Sequence, residues 1–457
     1  MSQFFKRHIG LIIMIIIAIV FPVSLSNQAK LNMRIIVTGL AIDKTEDGYE
    51  ATAQIVKTTS NTESSGIGAE IEYISDKANT ISFALANLMY KSGKVSAFSH
   101  TNFIILGNDI LKEDVTVCLD IFMRDRIVKN SALLLFSKGK ASDEIKKTKN
   151  MELSVGLGLQ KVFSFKEEDC DGLMMTILDF VNDNESYGKT AMAGVLELSD
   201  DISSNQSDNS SSSSSNQSSD SSSNSQKSDS TNSSSSSNSS SQSDSNSENN
   251  ESQSSDNSSS SSNSSSSGSN SSSNDKNSKM YFKANTPIYF FVDGKYALKI
   301  IEDEEMLSYL LFYPKSKKCY MEVDNIEHEE LKNSTISVSI KNKKVKKKIR
   351  FENNIPCLDL HLTITNCDFN EVISDGNIKP ITPEEAESIK NALKKKISKI
   401  ISNLYSKAKN CNADIFSAYK YAYKFNYNKL QKYYKNEKDF LQNLKLNVEI
   451  DIKNLDN

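Results

Sequence analysis

Apolar residues recur along the chain at either two-residue or three-to-four-residue spacing, and the changes between the two predict its elements in order. Residues 34–43 form a β-branched run closed by a turn at Glu46, Asp47 and Gly48, and 49–56 alternate, so the pair predicts a hairpin. A polar stretch with Gly66 and Gly68 as breakers leads to a short strand near 70–75. Thr80 then heads a helix over 81–90, in which Ile81, Ala84, Leu85, Leu88 and Met89 make one apolar stripe suited to covering a sheet. Phe103, Ile104, Ile105 and Leu106 are too short a run for a helix and end at Gly107, which predicts a central strand, and 132–136 predict a second. Between them 115–126 has helical spacing, and a polar helix starts at Asp143 after a turn over 139–142. Helices over 152–161 and 173–182 and a strand over 191–198 complete this half.

From Ser199 to about Lys279 the chain is almost only Ser and Asn, with no aromatic or aliphatic residue after Ile202. Such a tract has no apolar area to offset the entropy of ordering its backbone, so 199–279 predict a disordered linker. It fits a solvated spacer, and its many Asn-x-Ser triplets also fit contact with wall or glycan. Loop closure costs grow only logarithmically with length, which places the insertion at a surface turn or a domain boundary.

Pattern returns at 286–292 and 296–300, which flank Asp293 and Gly294 as a second hairpin, followed by a short helix over 304–311. Four alternating runs, 319–323, 335–340, 344–351 and 358–365, predict a half-solvated antiparallel sheet, with the basic run 341–350 crossing a strand turn. Thr382, Pro383 and Glu385 make a capping box with proline at the first helical position. The helix they open carries Ile389, Leu393, Ile397, Ile400, Ile401 and Leu404 as its stripe, through to about Ala408, with lysines on the other face. An aromatic helix over 416–427 and a final strand over 444–452 end the chain. The sum is an α+β fold: mixed or antiparallel sheets with packed helices in two or three domains. The expected boundaries are 1–30 for a leader, 31–198 for an N-terminal α+β domain, 199–279 for the linker and 280–457 for a C-terminal α+β domain, the last divisible into two subdomains.

The leader is an aliphatic run over 9–25, preceded by Lys6, Arg7 and His8. Positive charge on its amino side alone sends the rest of the chain across the membrane. It is either a signal peptide, cleaved near the small residues Ser24 to Ser26, or an uncleaved anchor at the low end of spanning length. A net charge of -4 and a pI near 5.8 argue against a nucleic-acid partner. The basic run from Lys341 to Arg350 fits protection of an edge strand or contact with anionic lipid. Six cysteines, at 118, 170, 319, 357, 367 and 411, form no CxxC pair and no zinc spacing, and behave by default as small buried hydrophobes.

Candidate chemistry is sparse. Ser99 and His100 are adjacent, so on a strand they point to opposite faces and cannot act as nucleophile and base. His328 and His361 do not pair by spacing, and Asp120, Arg124 and Asp125 suit ion pairing on a helix. Gly156 and Gly158 lack the third glycine and the preceding strand of a dinucleotide fingerprint. The sequence therefore predicts no catalytic, cofactor-binding or metal-binding residues, no cofactor, and no enzyme.

Taken in order, several motifs resemble the Ger(x)C family, the C subunits of spore germinant receptors. They are 34–43 with Gly48, Tyr49 and 54–56; Ser99 and His100 leading into 103–107; 120–125; 287–300 before Glu302 or Glu304; and 413–416 with the closing strand 446–450. The resemblance implies an α+β lipoprotein on the outer face of the spore inner membrane, needed with integral-membrane A and B subunits for nutrient-triggered germination. The family's lipobox cysteine is missing: the corresponding residues are Ser24, Leu25, Ser26 and Asn27, and the first cysteine is Cys118. Anchoring then falls to the apolar run itself, or the chain is released. The alternative function is an extracytoplasmic binding protein for a small solute.

Overall fold

The computed structural model describes Met14 and residues 34–60, 67–125, 127–148, 155–199, 281–282, 286–332, 334–374, 377–378, 381–453 and 455–456. The leader, apart from Met14, and the linker, apart from Ser199, lie outside these residues. Among the described residues no helix is long and apolar enough to cross a membrane.

The first hairpin forms as its pattern predicts, from β1 (Arg34–Thr45) and β2 (Gly48–Ser60), and β3 (Ile67–Ala78) is twice the expected strand. Then come α1 (Ile81–Ser92), β4 (Val95–Ala97), β5 (Phe103–Leu106), α2 (Val115–Arg124), β6 (Leu133–Ser137) and α3 (Ala141–Lys147). The half closes with α4 (Val155–Glu168), α5 (Ile177–Asn184) and β7 (Thr190–Leu196). The helix expected over 173–182 starts later, because Thr176 and Asp179 form a capping box that fixes its first turn.

Strands β1, β5, β6 and β7 run parallel to their neighbours at the sheet centre. Both faces of such strands are covered, which explains the unbroken apolar runs. Phe103, Ile105, Leu133 and Leu135 pack with Ala141, Ile145, Leu159 and Phe163 from α3 and α4. Ile104, Leu106, Leu134 and Phe136 face the opposite way, toward Leu85, Leu119, Phe122 and Phe180 from α1, α2 and α5.

After two-residue strands β8 (Leu198–Ser199) and β9 (Tyr281–Phe282), which pair with each other, the second hairpin is β10 (Ile288–Val292) and β11 (Lys295–Ile300). It extends the first sheet: β10 pairs antiparallel with β7, placing Phe290 opposite Met192 and Val292 opposite Thr190. The nine-stranded sheet thus has the order β11-β10-β7-β6-β5-β1-β2-β3, with β4 beside β1.

The chain continues through α6 (Asp303–Leu311), β12 (Cys319–Val323), β13 (Ile336–Glu352), β14 (Ile355–Ser374), β15 (Asn377–Ile378), α7 (Pro383–Asn410), α8 (Ala418–Phe425), α9 (Tyr427–Tyr433), α10 (Glu437–Asn443), β16 (Lys445–Ile452) and β17 (Leu455–Asp456). Two expectations need correction. The runs 335–340 and 344–351 are one strand, and the basic run 341–350 lies within it. The irregularity read as a turn is a set of register shifts around Asn342, which bend the ladder without ending it. The second sheet is also mixed: β16 pairs parallel with β14. The capping box at Thr382 and Glu385 forms, and the stripe Ile389, Leu393, Ile397, Ile401 and Leu404 is buried, with α7 packed along β12 and β16.

A carboxylate fixes the α3 end of the first sheet. Asp43, buried near the end of β1, accepts the backbone N–H groups of Ala141 at 2.7 Å and Ser142 at 2.8 Å, the unpaired donors that open α3. Gly107 has to be glycine beside it, since a Cβ there would lie 2.1 Å from Asp43 Oδ1. Asp43→Ala orphans two buried N–H groups and is expected to lower stability by about 1–3 kcal/mol, read as a lower urea midpoint with unchanged slope. The exposed pair made by Asp109 and Lys112 is expected to contribute almost nothing when Asp109 becomes Ala.

Candidate functional site at the junction of the two sheets

The segment from Ala413 to Phe416 is where both halves of the sequence meet. After α7 the chain turns at Asn412 with φ 57°, and it turns again at Ser417 with φ 55° before α8 begins. Between these turns Asp414 is buried and faces the start of α8, accepting N–H from Ala418 at 2.6 Å and from Tyr419 at 2.8 Å. Its own backbone N–H donates to Thr190 Oγ1 at 2.9 Å, at the start of β7 in the first sheet. Gly188, with φ 116°, lies in the same loop, and a Cβ there would come 3.2 Å from Asp414 Oδ2.

Three more groups close on the segment. Tyr309 of α6 donates its hydroxyl to the Ile415 carbonyl at 3.0 Å, and Lys347 of β13 donates to the Phe416 carbonyl at 3.2 Å. The Phe416 ring lies 5.9 Å from Tyr309 and 6.2 Å from Phe312, while Tyr309 meets Phe290 at 5.4 Å. A continuous aromatic seam therefore runs from β10 through α6 to the loop before α8. Beside it Lys343 satisfies the open end of α6, donating to the carbonyls of Leu310 at 3.2 Å, Leu311 at 2.5 Å and Tyr313 at 2.8 Å.

Burial governs the electrostatics of this junction. It pushes the Asp414 carboxyl up to about 6, although the two N–H donors and Lys347 favour its charged form. Burial, with the Asp414 charge added, pushes Glu437 up to about 7. The Lys347 ammonium is lowered, and Lys343 falls to about 8, both chiefly from loss of water.

The outer face of the second sheet is open and charged. Lys346, His361 and Glu449 lie in one row across β13, β14 and β16, and Lys348, Asp359 and Asn447 in the next. They line a concavity of about 670 Å³ that includes Tyr421. Arg350, one row further along, is held by a two-point pair with Asp359, at 2.5 and 3.0 Å, and by Glu352. His361 places Nδ1 at 3.1 Å from Glu449 and Nε2 at 3.1 Å from Asp451. These three are the cluster among the described residues whose donor atoms lie close enough for a cation. Each ring nitrogen faces a different carboxylate, however, so the ion-pair contacts by themselves account for the cluster. The geometry is that of a hydrogen-bonded clamp.

A second concavity, of about 840 Å³, opens beyond the carboxyl ends of β1 and β5 and is lined by charges that include Lys44, Lys77, Lys112, Lys140, Asp43 and Glu113. Glu113 accepts from Lys44 at 2.9 Å and from the Tyr49 hydroxyl at 2.9 Å, and its Lys44 partner holds its carboxyl below the usual range.

Other residues weighed from the sequence are dispersed. Ser99 and His100 are exposed on a one-turn helix, Phe98–His100, instead of a strand start. Asp120 and Arg124 form the expected helix ion pair, and Asp125 caps α2. Gly156 and Gly158 lie inside α4. His328 and His361 belong to a short turn and to β14. Five of the six cysteines are buried, Cys118 in α2 among them, and Cys411 is partly exposed. Cys170 and Cys319, 149 positions apart in sequence, meet side chain to side chain, a contact that spacing alone does not reveal. Lys343 was equally invisible as a partner of distant backbone.

The sign of the pH dependence follows from the raised carboxyls. Asp414 and Glu437 hold their protons more tightly folded than unfolded, so their contribution is complete below about pH 4 and is lost as pH rises through about 6 and 7. Urea stability is therefore expected to fall between pH 5 and pH 8, and Asp414→Asn is expected to remove the part centred near pH 6. At pH 5, where Asp414 is largely neutral, Asp414→Ala is expected to cost about 1–3 kcal/mol through the two orphaned N–H groups.

Family models match the chain twice: one described as a spore germination protein N-terminal domain over residues 27–198, and one described as spore germination B3/GerAC like, C-terminal, over 288–455. The solved crystal structure of the GerBC protein is similar at 15% identity, with a TM-score of 0.45, covering 92% of this chain and 97% of that one. No curated protein matches the sequence.

Proposed function

Because the chain belongs to the GerAC-like family of spore germination proteins, we propose that it is the C subunit of a spore germinant receptor. In this role it is membrane-associated on the outer face of the spore inner membrane. It carries out no chemistry of its own, and it makes nutrient-triggered germination possible through contacts with integral-membrane A and B subunits. The observation that carries the reading is that both halves of the family pattern, amino-terminal and carboxy-terminal, occur in order on this one chain.

The use made of the charged groups supports an assembly role. Asp43, Asp414 and Lys343 are each directed at backbone groups that end or begin a helix, a structural use that leaves the outer sheet face and the helices beyond it for partners. The cleft beyond β1 and β5 favours a second reading, since parallel strands commonly present ligands at their carboxyl ends. That reading is an extracytoplasmic protein binding a small charged solute.

Two measurements separate them. Spores lacking this chain are expected to form normally but to lose their response to nutrients, and the tagged full-length chain is expected to bring down the A and B subunits from detergent-solubilised spore membranes. A normal nutrient response, together with a partner-free protein whose melting temperature rises with amino acids or sugars, would replace the receptor reading with the solute-binding one.

A further inference from the structure

The helices α8 and α9 carry a feature that neither the junction nor the family match uses. From Ala418 to Tyr434 the sequence has Lys420, Lys424, Lys429 and Lys432 and no acidic residue, and Lys435 follows directly. Lys420 reaches Asp183 at 3.6 Å. Among the described residues no carboxylate lies within ion-pair distance of Lys424, Lys429, Lys432 or Lys435, and all four are exposed.

Large rings lie exposed among these lysines. Phe425 is 57% exposed, Tyr427 48% and Tyr433 36%, and Tyr187 of the neighbouring loop is 53% exposed. The rings fall in two groups: Tyr187 stacks on Tyr423 at 3.6 Å and Tyr423 meets Tyr427 at 5.0 Å, while Tyr421 meets Phe425 at 4.6 Å. Lys424 stands over Phe425 and Lys432 over Tyr433, both at 5.2 Å from the ring centre. The buried sides of the helices are already satisfied, by Ala418, Ala422 and Leu430. A net negative chain has thus gathered cations without ion-pair partners and half-wet aromatic rings along the ridge that α8 and α9 form.

We propose that this ridge docks on the surface of an anionic phospholipid bilayer. Amphipathic rings and long lysine stems suit the boundary between headgroups and acyl chains, where the ring sinks and the ammonium stays among phosphates. The leader, with Lys6 and Arg7 before its aliphatic run, gives the chain an independent reason to be at a membrane. Docking by α8 and α9 then fixes which side of the folded unit faces the lipid. The proposal does not depend on the germination role.

The sequence contains no Trp, so a single introduced Trp reports its own surroundings. The full-length Phe425→Trp protein is placed in phosphatidylcholine nanodiscs with or without phosphatidylglycerol, some carrying brominated acyl chains. With phosphatidylglycerol the emission is expected to shift to the blue and to be quenched by bromine, and with phosphatidylcholine alone it is expected to do neither. Adding Lys424→Glu, Lys429→Glu and Lys432→Glu is expected to abolish the quenching while leaving the circular dichroism melt unchanged. The same substitutions are expected to lower binding to phosphatidylglycerol vesicles by about 100-fold, at roughly tenfold for each 1.4 kcal/mol. Tyr320→Trp, also exposed but on β12, serves as the control for a chain merely held near lipid by its leader. Equal quenching at 320 and 425, quenching that ignores phosphatidylglycerol, or a blue shift elicited only by a single-stranded oligonucleotide would each overturn the proposal.

Discussion

Everything in the second half of the sequence depends on one antiparallel pairing, that of β10 with β7. Strand β7 is the last long strand before the Ser/Asn tract, and β10 is the first long strand after it. Without β10, β7 would expose an apolar edge, since four of its last five positions are small or aliphatic and buried. With it, the ring of Phe291 enters the core beside Phe136 and Phe180, and that of Phe290 meets Tyr309, so the aromatic seam through Tyr309 and Phe416 becomes continuous. The tract is thus inserted between two strands that pair inside the sheet, and the entropy of closing so long a loop grows slowly enough for that ladder, the short β8–β9 pair and a seam of buried rings to hold it shut.

The junction adds a second tie with a different physical character. Asp414 is a buried anion placed among donors: two N–H groups at the start of a helix and a lysine that itself bonds to the next carbonyl but one. Removing water disfavours its charge, and the donors only partly compensate, which is why its carboxyl titrates high. Lys343 is the mirror case, a cation at the end of α6 whose charge burial disfavours. Such groups contribute little net stability, but they tolerate few alternative arrangements, so they fix how α6, α8 and β13 meet. The contact role proposed for this chain needs that kind of definition more than it needs a cleft.

Much of this was legible where a local rule decides the outcome. The hairpins at Asp47-Gly48 and Asp293-Gly294, the caps at Thr80 and Thr382, and the doubly buried strands at 103–106 and 133–137 follow from turn chemistry, capping and unbroken apolar runs. The α+β class and the family followed from them. What the pattern hid was long-range or two-sided. The lysines of β13 alternate inward and outward, so Lys343 and Lys347 are structural while Lys344, Lys346 and Lys348 face water, and a count of charges along 341–350 cannot separate them. The parallel partner of β14 lies 88 positions further along the chain, with Lys445 opposite Cys357. The carboxylate of Asp414 looks like any loop aspartate until its distant neighbours are in place.

The halves before and after the tract form one folded unit, and a cut within the tract tests this most directly. After cleavage between residues 203 and 277 by an inserted protease site, the two fragments should co-elute at the size of the uncut chain and melt in one transition. Fragments that separate under native conditions, each retaining its own cooperative melt, would contradict it.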